Sequence, residues 1–574
     1  MLDMDQRKVA NLLDGLYAVY AGPGSGKSTT LLHRTANLAP RGKTLVVTFT
    51  AEAAKNLRTR CGKLFPTVDT SCFSTLHSLA LKFAHENPEA FPFELAENPL
   101  AIDGVAARAA FEATRNKINF KAFTTWVSLQ KRNRTTPQRA IRLAEETGTK
   151  LDYALAWKAY ESNLRKLGVL DFDNLITFMV DILETRPDIR SKWQFEYVQL
   201  DEAQDCCELD WRLLQLLTER HGNLMCVGDA NQGIFGFRGG ISEHFLNMEN
   251  YFPGTKKLYL GNNYRSTKNI VDFVKKAAPQ QDLAEHFKAV SGEDGLIPTI
   301  TAYSTPEREA EEVTARIKLL NPNDCAILGR TNLSLRPFEE ALIEREIPYY
   351  LLGDSGFWGQ QEVQDLLSYI RCVYAPGDNS LLAAIRSPFH PSRGFKKKIV
   401  AEEAKTRAAK EGITIWAALL RDPKTSDFLG FIRRTFAYKN LPAEEVVKRV
   451  IKDLKAVEHY KEEEGITPDR NPVQSLQELV RVAGKHGNLE EFLTFVRKVQ
   501  GASRNRKGVA LSTIHASKGK EFPHVFMVQC TEGILPHSKA EDLMEEKNIF
   551  FVGVSRAELT LNISYNGEKS RFLI

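Results

Sequence analysis

The sequence predicts an α/β fold with two parallel-sheet domains, each interrupted by a mainly helical insertion. Near the N-terminus, a strand-like run (16–21), a glycine-rich loop, a helix-like run (27–39) and another apolar strand (44–50) follow one another. A second set of short apolar strands begins only at residue 325. Strands that alternate with helices in this way are typical of parallel α/β sheets.

Two further strands of the first sheet domain end in acidic residues. They are "YVQLDE" (197–202) and "LMCVGD" (224–229), and they follow a stretch of mostly helical pattern, residues 90–194. We interpret that stretch as an insertion into the first domain.

The second sheet domain repeats this organisation. Its predicted strands are "CAILGRT" (325–331), "VFMVQC" (525–530) and "LTLNIS" (559–564). A helix-rich, polar stretch, residues 367–505, lies between the first and second of these strands. The two halves of the chain therefore resemble each other as a sheet domain with a helical insertion.

Composition and charge narrow the class of protein. The chain has 574 residues, more than one ordinary domain, and is 43% hydrophobic and 26% charged, as is typical of a soluble globular protein. No apolar run reaches the ~18 residues that a membrane span needs, so we expect no membrane partner. The net charge of +5 neither requires nor excludes nucleic acid, because a basic groove can lie within a nearly neutral total.

The N-terminus and the cysteines predict a cytoplasmic location. Acidic residues stand at the N-terminus where a signal peptide has its basic region. The eight cysteines include no C-x-x-C pair, and Cys206 and Cys207 are adjacent. This spacing favours reduced thiols over a zinc or iron–sulfur site.

The loop "AGPGSGKST" (21–29) has the features of a phosphate-binding loop. Its glycines let backbone N–H groups turn toward phosphate oxygens, and the following helix adds a partial positive charge at its N-terminus. Lys27 is placed to reach the β and γ phosphates, and the Ser28 hydroxyl to hold Mg²⁺. Ala21 departs from the usual first glycine, and a chance glycine turn is the alternative. The predicted phosphate-binding residues are Gly22, Gly24, Ser25, Gly26, Lys27, Ser28 and Thr29.

A phosphate-binding loop needs an acid for its metal ion, and "LDEAQD" (200–205) follows a predicted strand. Asp201 is placed to hold Mg²⁺, and Glu202 to take a proton from an attacking water. Gln204 is placed to orient that water or to sense the γ-phosphate. Two solvated acids at a strand end are the alternative, which the nearby phosphate loop disfavours. ATP and Mg²⁺ are therefore the predicted ligands.

The segment "VGDANQGIFGFRGG" (227–240) has the composition of a surface loop, with two phenylalanines, an arginine and several glycines close together. An exposed phenylalanine needs a partner, and an arginine binds phosphate well. We therefore expect Phe235 and Phe237, beside Arg238, to stack on a binding partner. The alternative is that the two rings pack in the protein core.

With these segments in view, the chain resembles the UvrD/Rep/PcrA-type superfamily 1A DNA helicases, in order along nearly its whole length. The loop 21–29, "LDEAQD" and the segment 227–240 are similar to motifs I, II and III. The other matching segments are "TFTAEAAKNLRTR" (48–60, motif Ia), "FSTLHSLA" (73–80, motif Ib), "NNYRSTKNI" (262–270, motif IV), "STIHASKGKEFPHV" (512–525, motif V) and "FVGVSRAELTL" (551–561, motif VI). Residues 90–194 and 367–505 match only loosely.

The resemblance implies two RecA-like P-loop NTPase domains, 1A and 2A, each with a helical insertion, 1B and 2B. The expected boundaries are 1–89 and 195–264 for 1A, 90–194 for 1B, 265–366 and 506–574 for 2A, and 367–505 for 2B.

The resemblance also implies roles around ATP. Gln6 matches the residue that reads adenine, although a capping box with Asp3 explains it equally simply. Arg34 and Tyr264 match residues that sandwich adenine, with a solvated helix residue as the alternative for Arg34. Glu521 is similar to a residue near the ribose.

Three residues are implied to act on the γ-phosphate. Gln232 touches it from motif III, and Arg265 and Arg556 reach it from the second domain. An arginine placed in this way contributes on the order of 10³–10⁵ to the rate of phosphoryl transfer.

The resemblance also implies how the protein binds DNA. Aromatic residues of motif III, here Phe235 and Phe237, stack on bases of single-stranded DNA. Such stacking is worth about 1–3 kcal/mol per base and does not depend on sequence. The histidines also fit buried positions with backbone partners, and Phe49 also fits the end of a buried strand. The implied DNA-binding residues are Phe49, Thr50, His77, Phe235, Phe237, Arg238, Thr513 and His515. Lys518 and Thr513 are implied to link DNA to the ATP cleft.

The resemblance thus implies an ATP-dependent 3′→5′ DNA helicase or translocase that acts on single-stranded DNA and its junctions with duplex. One rival is a DNA-stimulated ATPase without robust unwinding that serves a partner nuclease or repair protein, in DNA repair or antiviral defence. No nuclease pattern follows Arg556, so we expect any cutting to come from another protein. The other rival is a static P-loop binding protein. Basic tracts at 131–134, 393–398 and 503–508 are candidates for a phosphate track or are solvated loops.

Overall fold

The computed structural model describes residues 2–100, 105–114, 118–236, 239–353, 356–389, 397–461, 471–502 and 507–573. The chain divides into two compact units. The first comprises Met1–Pro298 and Ala540–Leu561, and the second comprises Thr299–Lys539 and Asn562–Leu573. Each unit is built on its own six-stranded sheet, as predicted for an α/β protein with two sheet domains. The predicted boundaries of 1A, 1B, 2A and 2B stay predictions.

The sheet of the first unit has the strand order β3-β2-β4-β5-β1-β6, and every neighbouring pair is parallel. Its strands are β1 (Leu16–Ala21), β2 (Thr44–Val47), β3 (Phe73–Ser74), β4 (Tyr197–Asp201), β5 (Leu224–Gly228) and β6 (Lys256–Leu260). The strand predicted over 44–50 ends early, because Thr50 already caps the next helix through its hydroxyl. The phosphate loop and both acidic strand ends therefore meet at one edge of the sheet.

Helices surround this sheet, and a short pair of strands, β7 (Asn262–Asn263) and β8 (Lys288–Ala289), lies apart from it. The helices of the first part of the chain are α1 (Met4–Ala10), α2 (Lys27–Leu38), α3 (Ala51–Leu64), α4 (Leu76–Glu86), α5 (Val105–Glu112), α6 (Phe120–Arg132), α7 (Pro137–Thr147), α8 (Leu151–Lys166), α9 (Phe172–Thr185), α10 (Pro187–Lys192), α11 (Glu208–Thr218), α12 (Ser242–Leu246), α13 (Lys268–Ala277) and α14 (Gln281–Ala284).

Both faces of the first sheet are buried. Successive residues of a strand enter different cores: Leu45 and Val47 pack in the large cluster with α4, α9 and α11, whereas Val46 packs on the opposite side with Leu32 and Leu57. This follows from the two-residue period of a strand. The helices between residues 107 and 169 have a hydrophobic cluster of their own.

The sheet of the second unit has the strand order β11-β12-β10-β13-β14-β9. Its strands are β9 (Thr299–Tyr303), β10 (Cys325–Gly329), β11 (Tyr349–Leu352), β12 (Val509–Thr513), β13 (Phe522–Met527) and β14 (Ala557–Asn566). The predicted strands at 325–331, 525–530 and 559–564 correspond to β10, β13 and β14, shifted by a few residues at their ends.

The stretch predicted to be helix-rich, 367–505, is helical in the part that the structure describes. The helices from residue 306 onward are α15 (Pro306–Ile317), α16 (Arg336–Glu344), α17 (Gly356–Gly359), α18 (Gln361–Tyr374), α19 (Asp378–Arg386), α20 (Lys397–Glu411), α21 (Ile415–Leu420), α22 (Ser426–Thr435), α23 (Ala443–Asp453), α24 (Ala456–Lys461), α25 (Pro472–Gly484), α26 (Leu489–Ala502), α27 (Ile514–Ser517) and α28 (Leu543–Val554). One continuous core joins strands β10 and β12 to helices of this stretch, for example Ile327 and Leu511 to Ile370 and Phe428.

Among the described residues, none of the helices combines the length and the apolar character that crossing a membrane demands.

Candidate functional site

The phosphate loop connects β1 to α2, as predicted. Gly26 caps α2 in the left-handed conformation, with φ of 75°, and without a side-chain hydrogen bond to the first turn. The N–H groups of that turn thus stay available to phosphate oxygens. The positive φ favours glycine at this position, and a Cβ atom there would lie 2.6 Å from the Gln6 amide nitrogen and displace the end of that side chain.

The acidic pair of motif II lies at the end of β4. Asp201 is buried, and burial followed by repulsion from Glu202 raises the pKa of Asp201 to about 7. Glu202 takes a left-handed backbone conformation with φ of 56°, which is uncommon for a residue with a side chain. Its carboxylate lies 3.9 Å from the Lys27 ammonium. A buried carboxylate next to a second one fits a divalent cation, because a nearby cation offsets the cost of their charges.

Gln204 and Gln232 tie motif II to motif III. The Gln204 amide donates to Glu202 Oε2 at 2.6 Å, and its Oε1 accepts from the Asp229 N–H at 3.0 Å. Gln232 Nε2 donates to Asp229 Oδ2 at 2.7 Å. Gln204 therefore holds the Glu202 carboxylate, and its predicted role in orienting the water or sensing the γ-phosphate stays a prediction.

Arg556 and Arg265 complete this network from within the same compact unit. Arg556 is buried, and its Nη2 donates to Gln232 Oε1 at 3.0 Å and to Ser555 Oγ at 2.8 Å. Arg265 Nη1 donates to the Ser555 carbonyl at 2.9 Å. We call the connected residues the polar chain; its members are Lys27, Glu202, Gln204, Asp229, Gln232 and Arg556.

Asn263 is a residue of this site that the sequence analysis missed. Its Nδ2 donates to the Pro23 carbonyl at 2.9 Å, and its Oδ1 accepts from the N–H groups of Arg265 and Ser266 at 2.8 Å. Asn263 thereby holds motif IV against the phosphate loop. Its position inside "NNYRS" was the available signal.

Gln6 and Tyr264, which are predicted to contact adenine, also contact other residues of the protein. Gln6 forms the expected capping box with Asp3 and also donates to the Ser25 carbonyl at 2.9 Å. Tyr264 is partly exposed and its hydroxyl contacts Asp3, while its backbone N–H donates to Gly24 at 3.0 Å. Gln6 and Tyr264 therefore both border the phosphate loop, and their contacts with adenine stay predictions.

Arg34 is fully buried, so a solvated position on the helix, the alternative for this residue, is wrong. It donates to the carbonyls of Leu12 and Leu13 at 2.8 Å each, and burial lowers its pKa to about 10. Arg34 thus ties α2 to the segment between α1 and β1. Its predicted contact with adenine stays a prediction.

Aromatic residues lie near the other end of the polar chain. The rings of Phe49 and Phe235 are stacked, with centroids 5.6 Å apart and planes 15° from parallel. Phe235 is half-buried and therefore is not ordinary core. Phe237 and Arg238 lie outside the described residues.

Models of two protein-family domains match nearly the whole chain. The UvrD/REP helicase N-terminal domain matches residues 2–253, and the UvrD-like helicase C-terminal domain matches residues 258–568. The chain belongs to the UvrD/REP helicase family. These domains make it an ATP-hydrolysing DNA helicase, which confirms the resemblance stated from the motifs.

Curated relatives are similar over most of their length. The chain is 28% identical to ATP-dependent DNA helicase PcrA of Leuconostoc citreum, covering 96% of this chain and 80% of the relative. It is 28% identical to PcrA of Staphylococcus epidermidis strain RP62A, covering 98% and 83%. It is 27% identical to PcrA of Staphylococcus aureus strain Mu50, covering 100% and 84%.

In this UvrD-like helicase, His77 and Thr50 lie in the same compact unit as the stacked rings. His77 is half-buried, and burial lowers its pKa. Its ring meets the edge of Phe172, with centroids 6.1 Å apart, and Phe172 is 57% exposed. Phe172 is a second residue that the sequence analysis missed; an apolar first position of α9, directly after its Asp171 cap, was the available signal.

The remaining predicted site residues of the helicase lie in the second unit. Thr513 caps α27 by accepting from the Ala516 N–H at 3.3 Å, His515 is half-buried in that helix, and Glu521 is exposed just before β13. The roles predicted for these three residues, and for Lys518, stay predictions.

The basic tract 131–134 is not a free phosphate track. Lys131 is buried and pairs with Glu161 at 2.7 Å and with Asp171 at 2.6 Å. Arg132 pairs with Asp173 at 2.9 Å, and Arg134 with Glu184 at 3.0 Å. These charges hold helices together. Residues 393–396 of the second basic tract lie outside the described residues, and the side chains of its last two positions are not described. Residues 503–506 of the third tract also lie outside the described residues.

Proposed function

We propose that this protein moves 3′→5′ along single-stranded DNA by ATP hydrolysis and unwinds the duplex ahead of it. The polar chain carries the proposal. It connects the phosphate-loop lysine, the acid of motif II and the arginine of motif VI, and it continues into the loop that bears Phe235. In this proposal, the site for hydrolysis lies at one end of the polar chain, and the surface for stacking bases lies three residues beyond Gln232 at its other end.

In this mechanism the phosphate loop binds the ATP phosphates, and Lys27 holds the β and γ oxygens. Glu202, oriented by Gln204, takes a proton from the attacking water. Arg265 and Arg556 offset the charge that develops on the transferring phosphoryl group. The Ser28 hydroxyl and Asp201 would hold Mg²⁺, which would further neutralise the phosphate charge.

The stacked phenylalanines supply a grip on DNA that does not depend on sequence. Stacking contributes about 1–3 kcal/mol per base, whatever the base. Opening a duplex costs on average about 1.4 kcal/mol per stacked step, so one hydrolysis cycle per nucleotide is energetically sufficient. Phe49, Phe235 and Phe172 are the described aromatic residues that we assign to this grip, and we extend the assignment to Phe237.

The test is unwinding of duplexes that carry a 3′ tail, a 5′ tail or no tail, with Lys27→Ala as the inactive control. We expect ATP-dependent unwinding of the 3′-tailed duplex alone. Unwinding from the 5′ tail would contradict the proposed direction. DNA-stimulated ATPase activity without unwinding of any substrate would favour the alternative, an ATPase that serves a partner nuclease or repair protein. The proposal includes single-stranded DNA and its junctions as the partner and the cytoplasm as the location.

A further inference from the structure

One face of helix α28 runs alongside the loop of motif III. Glu545 and Asn548 are one helical turn apart on this face, and Arg556 follows just beyond the end of the helix. The Gly236 N–H donates to Glu545 Oε1 at 2.8 Å, and Asn548 Nδ2 donates to the Gly233 carbonyl at 2.8 Å. All of these residues belong to the first compact unit.

The loop and the helix run in opposite directions. The loop passes from Gln232, which holds Arg556, through Gly233, which meets Asn548, to Gly236, which meets Glu545. Glu545 and Asn548 are three residues apart, a rise of about 4.5 Å along the helix. Two side chains within one turn of α28 therefore hold the loop at Gly233 and Gly236, and Arg556, two residues after the helix ends, holds Gln232.

Gly236 and the Glu545 carboxylate approach each other closely. A Cβ atom at this position would lie 3.0 Å from both carboxylate oxygens of Glu545. Asn548 is buried, so its amide is held in place by packing as well as by its hydrogen bond. The backbone of a glycine-rich loop rearranges easily. Glu545 and Asn548 restrain it by holding the Gly236 N–H and the Gly233 carbonyl against α28.

We propose that Glu545 and Asn548 are positioning residues that couple the base-stacking loop to Arg556. A base that displaces Phe235 moves Gly236, its neighbour in the chain, and the contact with Glu545 transmits this movement to α28. The same helix leads directly to Arg556, which acts on the γ-phosphate in the proposed function. The inference rests on that function, because it requires that the loop binds bases and that Arg556 assists hydrolysis.

The negative charge of Glu545 separates a loss of coupling from general damage to the loop. Glu545 places a negative charge at the tip of a loop that is proposed to meet polyanionic DNA. Removal of this charge weakens the coupling but does not weaken the electrostatic attraction for phosphates. Loss of DNA stimulation without loss of DNA affinity is therefore the expected result, whereas general damage to the loop lowers both.

The experiment compares Glu545→Ala, Asn548→Ala and the double variant with wild type. Met544→Ala is the matched control, since this neighbour on α28 is 47% exposed. The measurements are ATPase activity with and without single-stranded DNA and DNA affinity at fixed salt. The stimulation ratio is the ATPase rate with single-stranded DNA divided by the rate without it. We expect this ratio to fall about tenfold in each single variant, because each loses one hydrogen bond to a charged or buried group. DNA affinity of Glu545→Ala stays equal or rises.

The double variant and a conservative variant complete the test. We expect the stimulation ratio of the double variant to fall little further than that of one single variant, well short of the about hundredfold fall that two independent effects would give, because the two side chains act on one loop. Glu545→Gln keeps an acceptor oxygen and retains most of the stimulation. Stimulation ratios like that of wild type in both single variants would overturn the inference and leave the proposed function standing. An unstimulated wild-type ATPase would overturn both.

Discussion

Replacing Glu202 by glutamine tests the predicted general base with little disturbance of the fold. Gln204 Nε2 donates to Glu202 Oε2 at 2.6 Å, and the amide oxygen of the new side chain still accepts this bond. The ion pair with Lys27 has a separation of 3.9 Å and side chains that are 15% and 29% exposed, so its loss costs at most about 1 kcal/mol of stability.

The loss of chemistry is larger than the loss of stability. A general base contributes about 10²–10⁴ to a rate, and each tenfold corresponds to about 1.36 kcal/mol of activation free energy. We therefore expect Glu202→Gln to lower the turnover of ATP by at least about a hundredfold. The affinity for ATP should change little, because the phosphate loop and Lys27 are unaltered.

The assay is single-turnover hydrolysis with saturating ATP and single-stranded DNA, next to a binding measurement with a fluorescent ATP analogue. Glu208→Gln is the control, because this carboxylate six residues onward lies outside the polar chain and accepts from the Tyr251 hydroxyl at 2.8 Å. Turnover of Glu202→Gln within about tenfold of wild type would refute its assignment as the general base.

Four further predictions each concern one side chain. Lys27→Ala should abolish hydrolysis while the midpoint of urea unfolding stays close to that of wild type. Arg556→Ala should lower kcat on the order of 10³-fold or more with a smaller change in ATP affinity; equal losses would mark Arg556 as a ground-state ligand. Phe237→Ala should weaken single-strand binding and DNA stimulation, and full retention of both would assign this ring to core packing. Lys131→Met should destabilise the protein by about 3–5 kcal/mol, since Glu161 and Asp171 would lose their buried partner; an unchanged denaturation midpoint would contradict this.

Much of the fold and of the phosphate site was predictable from short patterns. Strand β1, the loop with Lys27 and helix α2 lie where predicted, because a glycine-rich turn between an apolar strand and a helix has few other structures. Asp201 was predictable for the same reason, since the acids that follow parallel strands meet at one edge of the sheet. Local pattern and tertiary structure agree at these positions.

Contacts between residues distant in the sequence were not predictable. Arg34 fits the polar side of a helix in sequence, yet it is fully buried against carbonyls of Leu12 and Leu13. Lys131 lies in a tract that suggests a solvated loop or a phosphate track, yet it is buried between Glu161 and Asp171. Burial alone would lower the pKa of Lys131, but the two carboxylates outweigh burial and raise this pKa. Charge in a sequence does not reveal its partner, because the partner is selected by tertiary packing.

If bases bind at Phe235 as proposed, the stack of Phe49 on Phe235 links base binding to nucleotide state. A base that enters between two rings needs about 7 Å between their planes, twice the optimal separation of about 3.5 Å between carbon atoms in contact. The two centroids are 5.6 Å apart, so a base can enter only if the loop moves. Gln232, three residues before Phe235, holds Arg556 at 3.0 Å. A loop that opens for a base must therefore shift or strain the contact between Gln232 and Arg556, the arginine that we propose acts on the γ-phosphate.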